Sequence, residues 1–418
     1  MILDKLFESL PWTETCKGFM LDWNRRPSMR PMTTVRLLGT FLALSVTLDA
    51  ARAVSATQSE APVPEASLID VGIRVFDPGL PHDAAGLRKL EAKGIFSEVR
   101  ESEAVYIPLH LERTLQKTGQ WGAVRLSPET SVVDVSITGT ILASDGNELS
   151  LDVRAVDSRG KVWLDKRYKA EPDESVYLQG ETTLEPFQSL YDRLSNDLLA
   201  ARRKVGDADR ETIASLTRLR FAADLAPVPF ADYIEIQKNH YQVVRLPARD
   251  DPMMQRVERL RQRDRMFIDS LDKYYADFYD QMREAYRGWR SETYWEHEAS
   301  SSSSPMASGG GVSVGRIGAG GGLPWEGPNV ICGTPAVMGG FEQEDPNQRA
   351  AREAEARKQS HLAALRELGG SLASDMAPQL VELEGRVLRL TGSVERQYAE
   401  WRELLREIFT AESGQSLD

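Results

Sequence analysis

The sequence predicts an α+β protein. An N-terminal mixed α/β sandwich in the order β-α-β-β-β-β-α is followed by a long-helix region and a C-terminal helix-hairpin-helix unit. Three observations predict this. Apolar and polar residues alternate in short runs between Val71 and Tyr168, the period of a half-buried strand. Apolar and aromatic residues then recur at 3- and 4-residue steps from Val257 to Trp289, the period of a helix face. A Gly/Ser tract separates that helix from a second helical stretch. The boundaries read as an extension and signal peptide over 1–53, a flexible leader over 54–66 and the α/β domain over 67–204. A helical region follows over 205–298, a Gly/Ser-rich linker over 299–345, the C-terminal unit over 346–412 and a tail over 413–418.

Each element has a local reason. Val71, Ile73 and Val75 alternate with Gly72 and Arg74, and the strand stops at Asp77-Pro78. Ile107, Leu111 and Leu115 share a helical face, with Pro108 expected in the first turn and Gly119 at the C-terminus. Ala123–Leu126 is a short strand. Val133, Val135 and Ile137 lead to a hairpin turn at Asp145-Gly146, and Leu149, Leu151 and Val153 run back. Asp157-Ser158-Arg159-Gly160 turns the chain into 161–168. Phe187, Leu190, Tyr191, Leu194 and Leu198 form one face of a closing helix. A helix over Ile213–Ala222 and a small hairpin from Tyr233 to Leu246 come next. Asp251 then caps a helix that has Pro252 in its first position and runs close to His297, with Asp264 interrupting its apolar series. Its aromatic content reads as a packing stripe rather than a ligand box. Pro346 to about Met376 is helical, with Gly369-Gly370 as a break point. Val381 to Leu390 is a hairpin or a bent strand, and Val394, Tyr398, Trp401, Leu405 and Ile408 mark a last helix expected to pack antiparallel on the long one.

Composition limits the function. The 418 residues are 41% hydrophobic and 27% charged, an ordinary globular balance. A net charge of −12 argues against sequence-independent binding to nucleic acid. Cys16 and Cys332 alone allow neither a disulfide framework nor a thiolate zinc cluster.

The clearest functional signal is an export address from Met29 to Ala53. Arg30 and Arg36 form a basic start, 37–48 is uncharged and mostly apolar, and Ala51-Arg52-Ala53 has the small-x-small pattern of a cleavage site. The apolar run is shorter than the roughly 20 residues of a bilayer span. Cleavage is expected between Ala53 and Val54, with Met29 or Met32 as alternative starts to Met1. The removed piece carries seven basic and five acidic residues, so the net charge moves from −12 to −14. No cysteine follows the apolar run to take a lipid.

Residues 104–200 resemble a periplasmic α/β domain found in the N-terminal part of the translocation protein TolB, in the curli secretion lipoprotein CsgG and in lipoprotein activators of penicillin-binding proteins. The matching residues are Thr118-Gly119-Gln120-Trp121, Val133-Asp134-Val135-Ser136-Ile137-Thr138-Gly139, and Leu151-Asp152-Val153 through Asp157-Ser158-Arg159-Gly160-Lys161-Val162-Trp163. The resemblance implies a non-enzymatic domain that docks other envelope components and brings no catalytic residues. The lipid-bearing cysteine and the propeller repeats are missing here, so neither anchoring nor the Tol function carries over. Residues 362–409 resemble a BON domain, an envelope module linked to phospholipid surfaces, through the stretch Val381 to Ser393 and the helix after it.

Catalytic patterns are weak. Gly311-Val312-Ser313-Val314-Gly315 fits a nucleophile elbow by spacing but lies in the Gly/Ser tract, without the strand and helix that hold such a serine on a strained turn. The same tract mimics a P-loop without its lysine. Its small residues fit a close helix pair in a membrane, but it is shorter than a span and carries Arg316. His82, His110, His240, His297 and His361 form no metal-ligand spacing, and His110 reads as a partly exposed helix residue. No catalytic residue, cofactor or metal is therefore expected. Trp121 and Trp163 are the candidate docking residues if exposed, and core residues if not. The expectation is a secreted, periplasmic, non-enzymatic protein that docks a protein partner in the cell envelope. The alternatives are a periplasmic hydrolase, or peripheral membrane contact through the C-terminal unit.

Overall fold

The computed structural model describes residues 64, 67–129, 133–178, 184–302, 346–374, 379–383 and 386–413. The export address, the Ala53–Val54 pair, Ser313 and Cys332 lie outside them. All the described residues belong to one compact unit spanning 54–418.

The α/β part runs β1 (Val71–Ile73), α1 (Ala84–Glu91), α2 (Ser97–Gln116), β2 (Val124–Leu126), β3 (Val135–Ser144), β4 (Leu149–Asp157), β5 (Val162–Ala170), α3 (Glu174–Leu178) and α4 (Gln188–Arg202). The predicted α+β class and strand succession are present, with the short helices α1 and α3 added. The five strands form one mixed sheet in the order β2-β1-β3-β4-β5. β1 lies parallel to β2 and β3, while β3, β4 and β5 form an antiparallel meander. One face carries Ile137, Ile141, Leu151, Val153 and Tyr168 into the core against α2 and α4. Over β4 and β5 the other face is solvated, with Arg154 paired to exposed Asp165 at 3.5 Å.

α2 corrects the sequence reading. The helix begins ten residues before Ile107, so Pro108 lies in its interior and not in its first turn. A mid-helix proline normally frees the carbonyl four residues back. Here that carbonyl, on Ala104, accepts the backbone N–H of Phe76 at 2.9 Å. The first half escaped the periodicity reading because it buries Arg100, Ser102 and Glu103.

Beyond the sheet lie α5 (Asp207–Leu225), α6 (Pro227–Phe230) and the hairpin β6 (Ile234–Gln237) with β7 (His240–Val243). The hairpin tip meets the β4–β5 turn. The Tyr241 N–H donates to Arg159 O at 2.9 Å, and Gly160 adopts φ +83° where a side chain would collide with the carbonyl of Asn239.

α7 (Pro252–Ser302) has 51 residues, about 76 Å at 1.5 Å per residue. Asp251 caps it through Met253 N at 2.8 Å, as predicted. It extends to Ser302, so the first four residues of the predicted linker are helical. The predicted aromatic stripe is buried at Phe267, Leu271, Phe278, Met282 and Trp289. α7 also shields the sheet edge at β2: Asp272 Oδ1 accepts the Leu126 N–H at 3.1 Å, and Asp269 pairs with Arg125. An uncovered edge strand would present open backbone donors and acceptors.

α8 (Pro346–Ser374), β8 (Gln379–Leu383), β9 (Arg386–Leu390) and α9 (Val394–Ser413) complete the chain. α8 lies antiparallel on α7, since Arg357 pairs with Glu292 while His361 meets Gly288. It runs unbroken through Gly369-Gly370. Gly369 is needed for close approach, because a side chain there would fall 2.5 Å from the Ser102 hydroxyl of α2. α9 packs antiparallel on the first half of α7, with Trp401 stacked on Phe267 at 5.0 Å and Glu412 paired to Arg256 at 3.2 Å.

Candidate functional site

The predicted docking tryptophans sit in the structure as packing residues. Trp121 is 6% exposed, with the Arg202 guanidinium 5.8 Å from its ring centroid. Trp163 is half-buried and donates Nε1–H to Asp157 at 3.0 Å. Asp157 also accepts from the backbone N–H groups of Arg159 and Lys161 and from the Arg159 guanidinium, so it holds the β4–β5 turn. His110, expected to be partly exposed, is buried. His82, His240 and His297 are exposed and His361 is half-buried. Among the described residues, no three His, Cys, Asp or Glu side chains gather as a metal site, and no helix is long and apolar enough to cross a membrane.

The site that does form is a cavity of about 500 Å³ where α2, the segment before α4, α7 and α8 meet. Tyr106, Tyr279, Tyr286, Glu185, Arg290 and His361 are among its walls. Arg290 is 1% exposed, and its guanidinium carbon sits 3.9 Å from the Tyr286 ring centroid and 4.8 Å from that of Phe187. Nη1 donates to Glu185 Oε1 at 2.6 Å, while Nε and Nη2 have no acceptor. Burial works against the charge of Arg290, and Tyr286 and Glu185 outweigh it, so the guanidinium stays protonated.

A directed hydrogen-bond chain lies beneath the cavity. Gln188 donates its amide nitrogen to Asp192 at 2.8 Å, which turns its oxygen toward His110 Nε2 at 2.8 Å. Nε2 therefore carries the proton, and Nδ1 accepts from the Tyr279 hydroxyl at 2.7 Å. Burial lowers the His110 pKa, consistent with a neutral ring. The Tyr279 oxygen then faces the Tyr106 hydroxyl at 3.4 Å, with the two rings stacked at 4.5 Å. Nearby, Glu103 accepts from Tyr286 and Ser144, each at 2.6 Å. These contacts tie α2, α4, α7 and the β3–β4 turn together, and they occupy both nitrogens of His110.

Two further buried clusters fasten α7. Asp264, the residue that interrupts the apolar series, accepts Trp401 Nε1–H at 3.2 Å and Tyr398 O–H at 3.4 Å, with Arg402 Nη1 at 3.5 Å. Arg402 also pairs with Asp224 of α5. Burial lifts Asp264 to about 6 against the pull of Arg402.

Glu112 and Asp272 form the other cluster. Burial raises Glu112 to about 7, against Arg113, Gln116 and Arg125. Burial and the charge of Glu112 raise Asp272 to about 8, against the Leu126 N–H and Arg125. Both carboxyls hold a proton to higher pH in the folded chain than in the unfolded one. The contribution of this pair to stability is therefore fully present near pH 4 and is lost as pH rises through 7 to 8. Asp272→Asn keeps the acceptor for Leu126. Its stability in urea, relative to the parent chain, is expected to improve from about pH 5 to pH 8, by about 1–2 kcal/mol at the upper end. A difference that is the same at both pH values contradicts this.

The cavity residues were missed in the sequence because they come from segments far apart in the chain. One local signal was there: Tyr279, Tyr286 and Arg290 fall on one face of α7 at steps of seven and four, so Arg290 stands where an apolar residue is expected. No family model matches this chain, and no curated protein and no solved structure matches it.

Proposed function

We propose that this chain is an exported, non-enzymatic protein of the cell envelope whose α/β part is a platform and whose α7–α8 hairpin is an arm that docks a protein partner. The observation that carries this reading is the exposure of the arm. The residues from Trp295 to Ser301 are exposed all round, and so are those over 348–353. A helix packed on its own core buries one stripe, so these turns stand clear of it. The two helices of the arm are held together by Arg357–Glu292 at 2.7 Å and by Lys358–Glu296. Trp295 is 38% exposed there, and an accessible indole is a common anchor in protein interfaces.

Residues 29–53 support the envelope setting through their export pattern, and the resemblance of residues 104–200 to docking domains supports the platform role. Membrane contact through the C-terminal unit is less favoured, because Tyr398, Trp401, Leu405 and Phe409 of α9 are buried against the rest of the fold. The test is fractionation of the native host with mass spectrometry of the recovered protein. A soluble envelope species starting at Val54 is expected, and a cytoplasmic chain retaining residues 1–53 contradicts the reading.

A further inference from the structure

A second cavity, of about 230 Å³, lies on the outer face of the sheet, where α5 and the tip of the β6–β7 hairpin border it. Ser136 of β3, Arg154 and Val156 of β4, Arg220 of α5 and Tyr241 of β7 are among its walls. It is smaller than the pockets that take drug-sized molecules, so it suits a small ligand.

The charges on its walls are one-sided. Its charged wall residues are Arg154, Asp157 and Arg220. The Asp157 side chain has no exposed surface, and its carboxylate is taken up by the Arg159 guanidinium, the Trp163 indole and the backbone N–H groups of the β4–β5 turn. The charge presented to the cavity is therefore that of two guanidiniums, in a chain whose net charge is −12.

Arg220 is half-buried. Its Nη1 donates to the Ser158 carbonyl at 3.2 Å, and its guanidinium carbon sits 4.1 Å from the Tyr241 ring centroid. Among the described residues no carboxylate pairs with it and no acceptor meets its Nε or Nη2, yet neither nitrogen is sealed from solvent. Burial lowers its pKa, against the pull of Tyr241 and Glu129. A charge drawn out of water is ordinarily paired. Arg154 meets Asp165 in an exposed pair at 3.5 Å, a contact too weak to hold it against a stronger anion.

We propose that this cavity binds phosphate, free or as the phosphate group of a small monoester, between Arg220 and Arg154. A phosphate near its dianionic form matches two guanidiniums in charge, and its oxygens accept the paired donors that a planar guanidinium offers. Bound there, it ties α5 and the hairpin to the sheet. This inference is independent of export and of the arm.

The full chain would be titrated by calorimetry with inorganic phosphate and with glycerol phosphate, and its unfolding midpoint compared with that in sodium chloride of the same ionic strength. At least one phosphate is expected to bind with Kd below about 1 mM and to raise the midpoint above the chloride value. Tighter binding of inorganic phosphate identifies a free ion, and tighter binding of glycerol phosphate identifies a monoester. Arg220→Gln should abolish binding. Arg154→Gln changes a side chain that is 55% exposed, so the fold is kept, and a loss of tenfold or more in affinity is expected. It keeps the inference testable if Arg220→Gln does not fold. Arg167→Gln removes the same charge from β5 at a side chain 67% exposed and outside the cavity walls, and should leave the affinity unchanged. The inference is overturned if neither phosphate binds, if chloride raises the midpoint as much as phosphate does, or if Arg154→Gln costs no more affinity than Arg167→Gln.

Discussion

Replacing Arg402 by methionine is expected to destabilise the chain by about 3–5 kcal/mol, the range for removing one partner from a buried ion pair. The guanidinium is 3% exposed and faces three carboxylates: Asp264 of α7, Asp224 of α5 and, at 3.9 Å, the more exposed Glu129. Without it, Asp264 keeps only the Trp401 and Tyr398 donors at a site 2% exposed, while Asp224 still has Arg406 at 3.2 Å. The loss is therefore concentrated at Asp264. Adding Asp264→Asn to Arg402→Met removes the stranded charge and should restore at least half of the lost stability. Urea denaturation of the two singles and the double measures this. Additive losses would show that Asp264 does not hold α9 in place through Arg402.

Gly146→Ala is the second large effect. Gly146 sits in the β3–β4 turn and abuts the backbone of α7: a side chain there would run into the carbonyl of Arg290 and come 2.6 Å from Tyr294 N. Neither is the free end of a flexible side chain, so the turn and the helix must separate. Tyr177 reinforces the junction by donating its hydroxyl to Gly146 O at 3.0 Å. The expected cost is about 2–4 kcal/mol, typical of overpacking against an unyielding neighbour. Hydrogen exchange in the second half of α7 should rise with it. The contrasting substitution is Gly370→Ala in α8, where an added methyl meets nothing within 4 Å. There the better helix propensity of alanine should stabilise the chain by about 0.5–1 kcal/mol. Equal effects at the two positions would mean that the β3–β4 turn does not bear on α7.

The contrast between these glycines bears on what the sequence made legible. The β3–β4–β5 meander could be read because its strands alternate and its turns carry Asp-Gly and Asp-Ser-Arg-Gly. α7 could be read because its stripe is long and its cap is explicit. The first half of α2 could not, because it buries charges whose partners, Ser144 and Tyr286, are distant in sequence. α1 has eight residues and buries none of them, too short a run for periodicity to mark as a helix. Asp264 was visible as a break in a pattern, but its meaning depends on α9, more than a hundred residues later. The cavity was illegible for the same reason: Arg290 and Glu185 look like surface charges until tertiary contacts bring them together.

The central claim is that the α7–α8 arm meets a partner in the envelope. The most direct measurement is photo-crosslinking in intact cells from a reactive residue at position 295 on the arm, with position 154 on the solvated sheet face as the comparison. A discrete adduct between the chain starting at Val54 and an envelope protein, formed from position 295 and not from position 154, is the predicted result. No adduct from position 295, or the same adducts from both positions, would contradict the claim.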